Sequence, residues 1–341
     1  MNGYQRIIAA LKGEKSDKTP IMLHNFMMAA AENGITMHDY RESPQKIAET
    51  FIRSVEKYQF DGILVDLDTV TLAGAVGVPV DFPVHEPARS AKGNLAELAD
   101  FRSLGQVKVE DYKYIQVWLE AVRQIKDHFK DELFVRGNCD QAPFSLASMM
   151  RGSQQWMLDL IMGEPGLVEE LLGYCTGISC QFIRLMSQTG CDMLSNGDSP
   201  AGPEMVSPEM YQLYALPWEK LVVEQSHKCN LPYALHICGN TDSILELMLE
   251  TGADAFELDY KTDAQIAYET FSNKACFIGN IDPSGVLALG TPELVARKTN
   301  ELLQTFAGNN RFILNAGCAL PSMTPPENLK MMIETARGFG G

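Results

Sequence analysis

The chain of 341 residues carries 28 Lys and Arg against 44 Asp and Glu, a net charge of −16, and is 45% hydrophobic and 21% charged. That balance suits a globular protein with a large core, and its acidity argues against a nucleic-acid partner, which would want a Lys/Arg face. No apolar run approaches the ~18 residues needed to cross a bilayer, and the 7–11 run is too short for a secretory signal, so the expected setting is cytoplasmic with no membrane contact.

Taken in chain order, the apolar 7–11 stretch fits an N-terminal helix. Eight short, near-continuous apolar runs then follow, at residues 20–24, 62–66, 133–137, 192–196, 232–236, 255–259, 275–279 and 311–315. Each ends in polar residues or glycine, as parallel strands buried on both faces do. The segments between them carry helix punctuation. Ser43-Pro44 opens a stretch that places Ile47, Phe51, Val55 and Tyr58 on one helical face. Ser207-Pro208 and Thr291-Pro292 repeat the cap-then-proline signal. Thr324 and Glu327 have the spacing of a capping box.

Two connections are long, 67–132 and 138–191. The first contains the Pro/Gly-rich stretch 77–87, which reads as a loop folding over the mouth of the fold. Eight strands alternating with helices predict an α/β protein with a single (β/α)8 TIM barrel over residues 1–341, in preference to an open doubly wound sheet. Eight is the closure number, and the polar residues collect at the C-terminal strand ends, where barrel sites lie. The eight cysteines are scattered without a Cys-x-x-Cys pair, so they read as free or metal-bound thiols rather than a disulfide framework.

The residues after the strands form a polar set: His24 and Asn25, Asp66 and Asp68, Asn138, Asn196 and Asp198, His236 and Cys238, Glu257 and Asp259, Asn280 and Asp282, Asn315 and Cys318. Each Asp or Asn among them could equally be a turn or capping residue. The sharpest element is His236-x-Cys238, because side chains two apart on a strand point the same way. In a closed barrel strand eight can bring Cys318 to the same point. One imidazole and two thiolates suit Zn2+ and leave one tetrahedral position for a substrate, the catalytic arrangement. A buried structural histidine with two inert cysteines is the competing reading. Glu257 or Asp259 could complete the coordination without substrate. The other cysteines and His38, His128 and His227 read as structural, and His85 as an exposed loop residue.

With FDGILVDLD at 60–68, GVPVDFP at 77–83, NGDSPAG at 196–202, GNIDP at 279–283, GTPE at 290–293 and the 315–328 stretch, the chain resembles the uroporphyrinogen decarboxylase superfamily over nearly its whole length. That resemblance implies a (β/α)8 barrel and one of two chemistries. The decarboxylase branch holds substrate carboxylates with an arginine-rich segment after strand one, where this chain has LHNFMMAA at 23–30, and has a histidine where Cys318 stands. The corrinoid-dependent branch, of the methylcobalamin:coenzyme M methyltransferase type, carries His-x-Cys and a late Cys as zinc ligands, which His236, Cys238 and Cys318 match.

The resemblance therefore implies a zinc-containing, cobalamin-dependent methyltransferase. It would move a methyl group between a corrinoid protein and a small donor or acceptor, either a thiol such as coenzyme M or a methoxy- or methylamine-type donor. His236, Cys238, Cys318 and Asp68 would be catalytic. His24, Asn25, Asn196, Asp198 and Glu257 would contact substrate or corrinoid, and Arg136 or Arg151 would face a sulfonate. Asp68 falls where the decarboxylases keep their essential aspartate. The rival readings are a cofactor-free decarboxylase using Asp68 and a non-catalytic tetrapyrrole- or corrinoid-binding module.

Overall fold

The computed structural model describes residues 1–339. Eight strands, β1 (Met22–Leu23), β2 (Gly62–Val65), β3 (Phe134–Gln141), β4 (Met193–Gly197), β5 (Tyr233–Ile237), β6 (Ala255–Leu258), β7 (Cys276–Ile281) and β8 (Phe312–Ala316), pair in parallel in sequence order. A parallel bridge from Ile21 to Leu314 joins the last strand to the first. The Leu314 amide donates to the Pro20 carbonyl at 2.9 Å. With helices packed outside, this is a (β/α)8 barrel.

The strands fall where the apolar runs predicted, with two informative extensions. β3 continues to Gln141 through a register irregularity against β4 between Asn138 and Gln141, and β7 continues to Ile281. Both tails are polar enough that hydropathy alone assigns them to loops.

The helix starts follow their caps. Ser43 accepts from the Lys46 amide at the head of Pro44–Tyr58, whose buried face includes Ile47, Phe51, Val55 and Tyr58. Ser207 and Thr291 cap Pro208–Tyr214 and Pro292–Thr305 in the same way. The capping box at Thr324 does not form. Pro325 takes the cap position, the helix Pro326–Gly338 begins one residue later, and Thr324 Oγ1 donates back to the Pro321 carbonyl. Consecutive prolines shift the start and put Glu327 out of capping register.

Two apolar layers surround the strands. The larger lies between barrel and helices. The smaller fills the N-terminal end of the barrel with Met22, Phe134, Met193, Ala234, Ala255, Ile278 and Ile313, and the helix Gly3–Lys12 closes it with Ile7 and Ala10. Among the described residues no helix is long and apolar enough to cross a membrane.

Candidate metal centre

Side-chain alternation carries the barrel interior from apolar floor to polar mouth. Two residues beyond Met22, Phe134, Ala234, Ala255 and Ile313 of the floor come His24, Arg136, His236, Glu257 and Asn315; two further along β3 and β5 come Asn138 and Cys238. The result is a cavity of about 270 Å3 whose lining includes His24, Asp66, Asp68, Arg136, His236, Cys238, Glu257 and Cys318.

His236, Cys238 and Cys318 meet at one end of it, their ligand atoms within 4.8 Å of one another. His236 Nε2 is 3.0 Å from Cys238 Sγ, and the two sulfurs are 3.7 Å apart. Two glycines allow this approach. Gly239 turns the chain after Cys238 at φ +87°, and a Cβ on Gly317, next to Cys318, would stand 2.5 Å from the Tyr260 amide nitrogen. The imidazole is oriented from behind, Nδ1 lying 3.0 Å from the Glu257 carbonyl oxygen, which leaves Nε2 for a metal.

The donor set fits zinc. Sulfurs each about 2.3 Å from a tetrahedral zinc ion stand about 3.8 Å apart, and sulfur and imidazole nitrogen about 3.5 Å. The sulfur pair is already at that spacing, and the imidazole needs to withdraw by about half an ångström. Metal-free, the three groups form a charge-separated pair beside a thiol. The Cys318 thiol bonded to Cys238, with help from His236 and against the cost of burial, holds Cys238 down to about 3. Burial opposes charge on His236, but the adjacent Cys238 sulfur outweighs it and carries the imidazole up to about 9. Cys318 remains a thiol, pushed well up by its bond to Cys238 and by burial.

An ion pair lies in the cavity wall below the centre: Arg136 Nη1 is 2.7 Å from Glu257 Oε2, both side chains about 1% exposed. Asn315 donates to Glu257 Oε1 at 2.9 Å. At the β1–β2 side of the cavity His24 Nε2 meets Asp66 Oδ2 at 2.7 Å. Asp68 is buried beside them, and Asp140, also in the lining, is pushed well up by burial and the charge of Asp68.

Several residues singled out in the sequence serve the scaffold instead. Asn25 is fully buried, donates to Ser54 Oγ and does not line the cavity. Asp198 is equally buried and accepts from the Ser145 amide and hydroxyl at the start of helix Pro143–Arg151. Asn196 does line the cavity, but its amide is spent on the Cys139 and Gln141 carbonyls and the Tyr233 hydroxyl. Asp259 receives the Gly239 and Lys261 amides, shaping the loop after Cys238. Arg151 lies away from the cavity, bound to Asp159 and the Leu95 and Ala96 carbonyls. His38, His128 and His227 lie at the surface near Asp39, Glu56 and Asp254, and His85 is exposed in its loop.

Other lining residues had no signal that set them apart. Asp140 and Gln141 sit beyond the expected end of strand three, and Phe26, Met27 and Ser199 resemble ordinary helix or turn residues. Of the stretch 77–87, Pro87 reaches the cavity lining. The loop is fastened by Arg41, which donates to the Pro83 and Glu86 carbonyls and stands over the Phe82 ring.

Residues 2–339 match the family described as uroporphyrinogen decarboxylase (URO-D). The chain is 35% identical over 339 residues to the methylcobamide:CoM methyltransferase MtbA of Methanosarcina mazei, covering 98% of this chain and 97% of that one. To the protein of the same name from Methanosarcina acetivorans it is 34% identical over 221 residues, spanning 65% of this chain and only 63% of that protein's length. It is 26% identical over 350 residues to the uroporphyrinogen decarboxylase of Trichodesmium erythraeum, covering 97% of this chain and 95% of the other. A solved methyltransferase from Methanosarcina mazei, 21% identical, superimposes over all of both chains with a TM-score of 0.87, which speaks for a shared barrel.

Proposed function

The chain belongs to the uroporphyrinogen decarboxylase (URO-D) family, and on that premise we propose that it is a methyltransferase of the corrinoid-dependent branch, working as one barrel domain with zinc at His236, Cys238 and Cys318. The observation that carries this reading is the convergence of one imidazole and two sulfurs at the cavity end of β5 and β8. Whole-length identity to a protein named methylcobamide:CoM methyltransferase supports the same branch. The partner is a corrinoid protein presenting methylcobalamin at the mouth, and the small substrate is a thiol of the coenzyme M type.

Bound there with three protein ligands, zinc would lower the pKa of an incoming thiol so that the thiolate predominates near neutral pH. The protein residues do the rest. Glu257 holds His236 through its carbonyl, and its carboxylate is itself fixed by Arg136 and Asn315. Asp66, itself held by Asn138, fixes His24 at the β1–β2 side of the cavity. Together with Phe26, Met27 and Pro87 these groups enclose a small substrate and limit water around it. A corrinoid held by its partner protein would supply the methyl carbon to the thiolate sulfur and keep the Co–C electron pair, while this chain's residues position the thiol.

Decarboxylation of a polycarboxylate fits the cavity poorly. His24 and Arg136 are its cationic candidates and both are already paired to carboxylates, while Asp66, Asp68 and Glu257 share the wall.

The test is anaerobic. Protein mixed with methylcobalamin and 2-mercaptoethanesulfonate should convert the corrinoid spectrum to that of cob(I)alamin, and about one zinc per chain should accompany the activity. Cys318→Ala should lose most of the metal and the turnover. Corrinoid unchanged by this or other thiols, with release of CO2 from uroporphyrinogen instead, would overturn the reading.

A further inference from the structure

A thiol that enters as a thiolate must leave its proton somewhere, and the three ligand side chains are weakened as bases once a metal holds them. The β1 side of the cavity offers an acceptor. His24 follows β1 and lines the cavity, 9% exposed. Its backbone carbonyl accepts from the Leu320 amide at 2.8 Å, so it lies beside the loop that carries Cys318. Its ring stacks on Phe26 with centroids 5.6 Å apart.

The ring's Nε2 is committed to Asp66 Oδ2 at 2.7 Å. The other Asp66 oxygen accepts from Asn138 Nδ2 and the Leu67 amide, each at 2.9 Å. A carboxylate so occupied can only accept from the imidazole. It fixes the tautomer with hydrogen on Nε2 and leaves the lone pair on Nδ1, which has no hydrogen-bond partner among the described residues. A histidine backed by a carboxylate, with its second nitrogen unspent in a substrate cavity, has the constitution of a general base.

Resting on the thiol-acceptor reading above, we infer that His24, oriented by Asp66, takes the S–H proton of the substrate thiol in the cavity. The S–H bond breaks with its electron pair staying on sulfur, the Nδ1–H bond forms, and Asp66 balances the imidazolium. The other charged groups of the lining are Asp68 from the β2 side, Asp140 and Arg136 from β3, and Glu257 from β6. Arg136 and Glu257 cancel one another at 2.7 Å. Burial and the charge of Asp68 push Asp140 well up. Asp68 and Asp140 are the competing acceptors in the lining.

Titration calorimetry of the zinc-loaded protein with 2-mercaptoethanesulfonate, in buffers of different ionisation enthalpy near neutral pH, counts the protons released on binding. Wild type should release well under one proton per thiol, because His24 keeps it. His24→Gln should release close to one, bind the thiol more weakly and move the pH dependence of binding upward. Asp66→Asn should do the same with the histidine still present, because the amide donates to Nε2 and reverses the tautomer. Methyl transfer in both should fall on the order of 10²-fold, at unchanged zinc content. Equal proton release in wild type and His24→Gln, or a change produced only by Asp68→Asn or Asp140→Asn, would overturn the inference while leaving methyl transfer standing. No thiol binding by zinc-loaded wild type would overturn the proposed function and this inference together.

Discussion

Asp68 shows how far a single carboxyl's behaviour depends on its surroundings. One oxygen accepts from the Val70 amide and the Thr71 hydroxyl, both at 2.9 Å. The other has no hydrogen-bond partner and faces Arg41 Nε at 4.0 Å. Burial outweighs these aids and raises its pKa to about 6. Folded Asp68 thus keeps its proton to a higher pH than the unfolded chain does, so its contribution to stability is full below about pH 4 and drains away as pH rises through about 6. Urea midpoints of wild type should fall across that window relative to those of Asp68→Asn, which cannot ionise; parallel pH profiles would contradict this. At this scale the sequence is readable where spacing dictates geometry. His236 and Cys238, two apart at the end of β5, converge with Cys318 from the loop after β8. It is not readable where one residue type serves two ends: Asn25 and Asp198 follow strands just as His24 and Asp66 do, yet one bonds Ser54 and the other caps a helix.

Among elements, the loop 77–90 draws much of its anchorage from a distant buried side chain. Its own pairing is small, Asp81 with Arg89. Arg41, fully buried at the end of helix Met37–Glu42, holds it at Pro83, Glu86 and Phe82, beside the His38 amide that donates to the Val84 carbonyl and the Tyr114 ring against Phe82. Replacing Arg41 with Leu removes two hydrogen bonds from a charged group, worth about 1.5–3 kcal/mol each at good geometry. Amide exchange in 80–90 should then quicken by roughly tenfold or more while the strands stay protected; unchanged exchange there would show that the loop holds itself. The proline-rich composition announced a loop, but nothing in it announced Arg41, because the contact joins segments about forty residues apart. Helix starts were legible wherever one capping side chain preceded one proline, and illegible at Thr324, where two prolines move the boundary.

For the molecule as a whole, the barrel was legible because eight buried parallel strands each need a near-continuous apolar run, and their polar ends all fall on one rim. The plug at the other end was only half legible. The 7–11 run predicted a helix, but its place beneath the barrel follows from a floor of Met22, Phe134, Ala234, Ala255 and Ile313 that needs a cover. Ile7→Ala should cost about 2–5 kcal/mol by leaving a hole in that floor, read as a lower melting temperature at unchanged zinc content, since the plug and the metal centre occupy opposite ends. A loss of metal with stability intact would contradict that separation. The central claim concerns the other end, where His236, Cys238 and Cys318 hold zinc with one position left for a thiol. Zinc-edge X-ray absorption of the anaerobic protein tests it directly. The account predicts two sulfurs in the metal's shell alone and three once 2-mercaptoethanesulfonate is added; absence of zinc, or a sulfur count indifferent to the thiol, would contradict it.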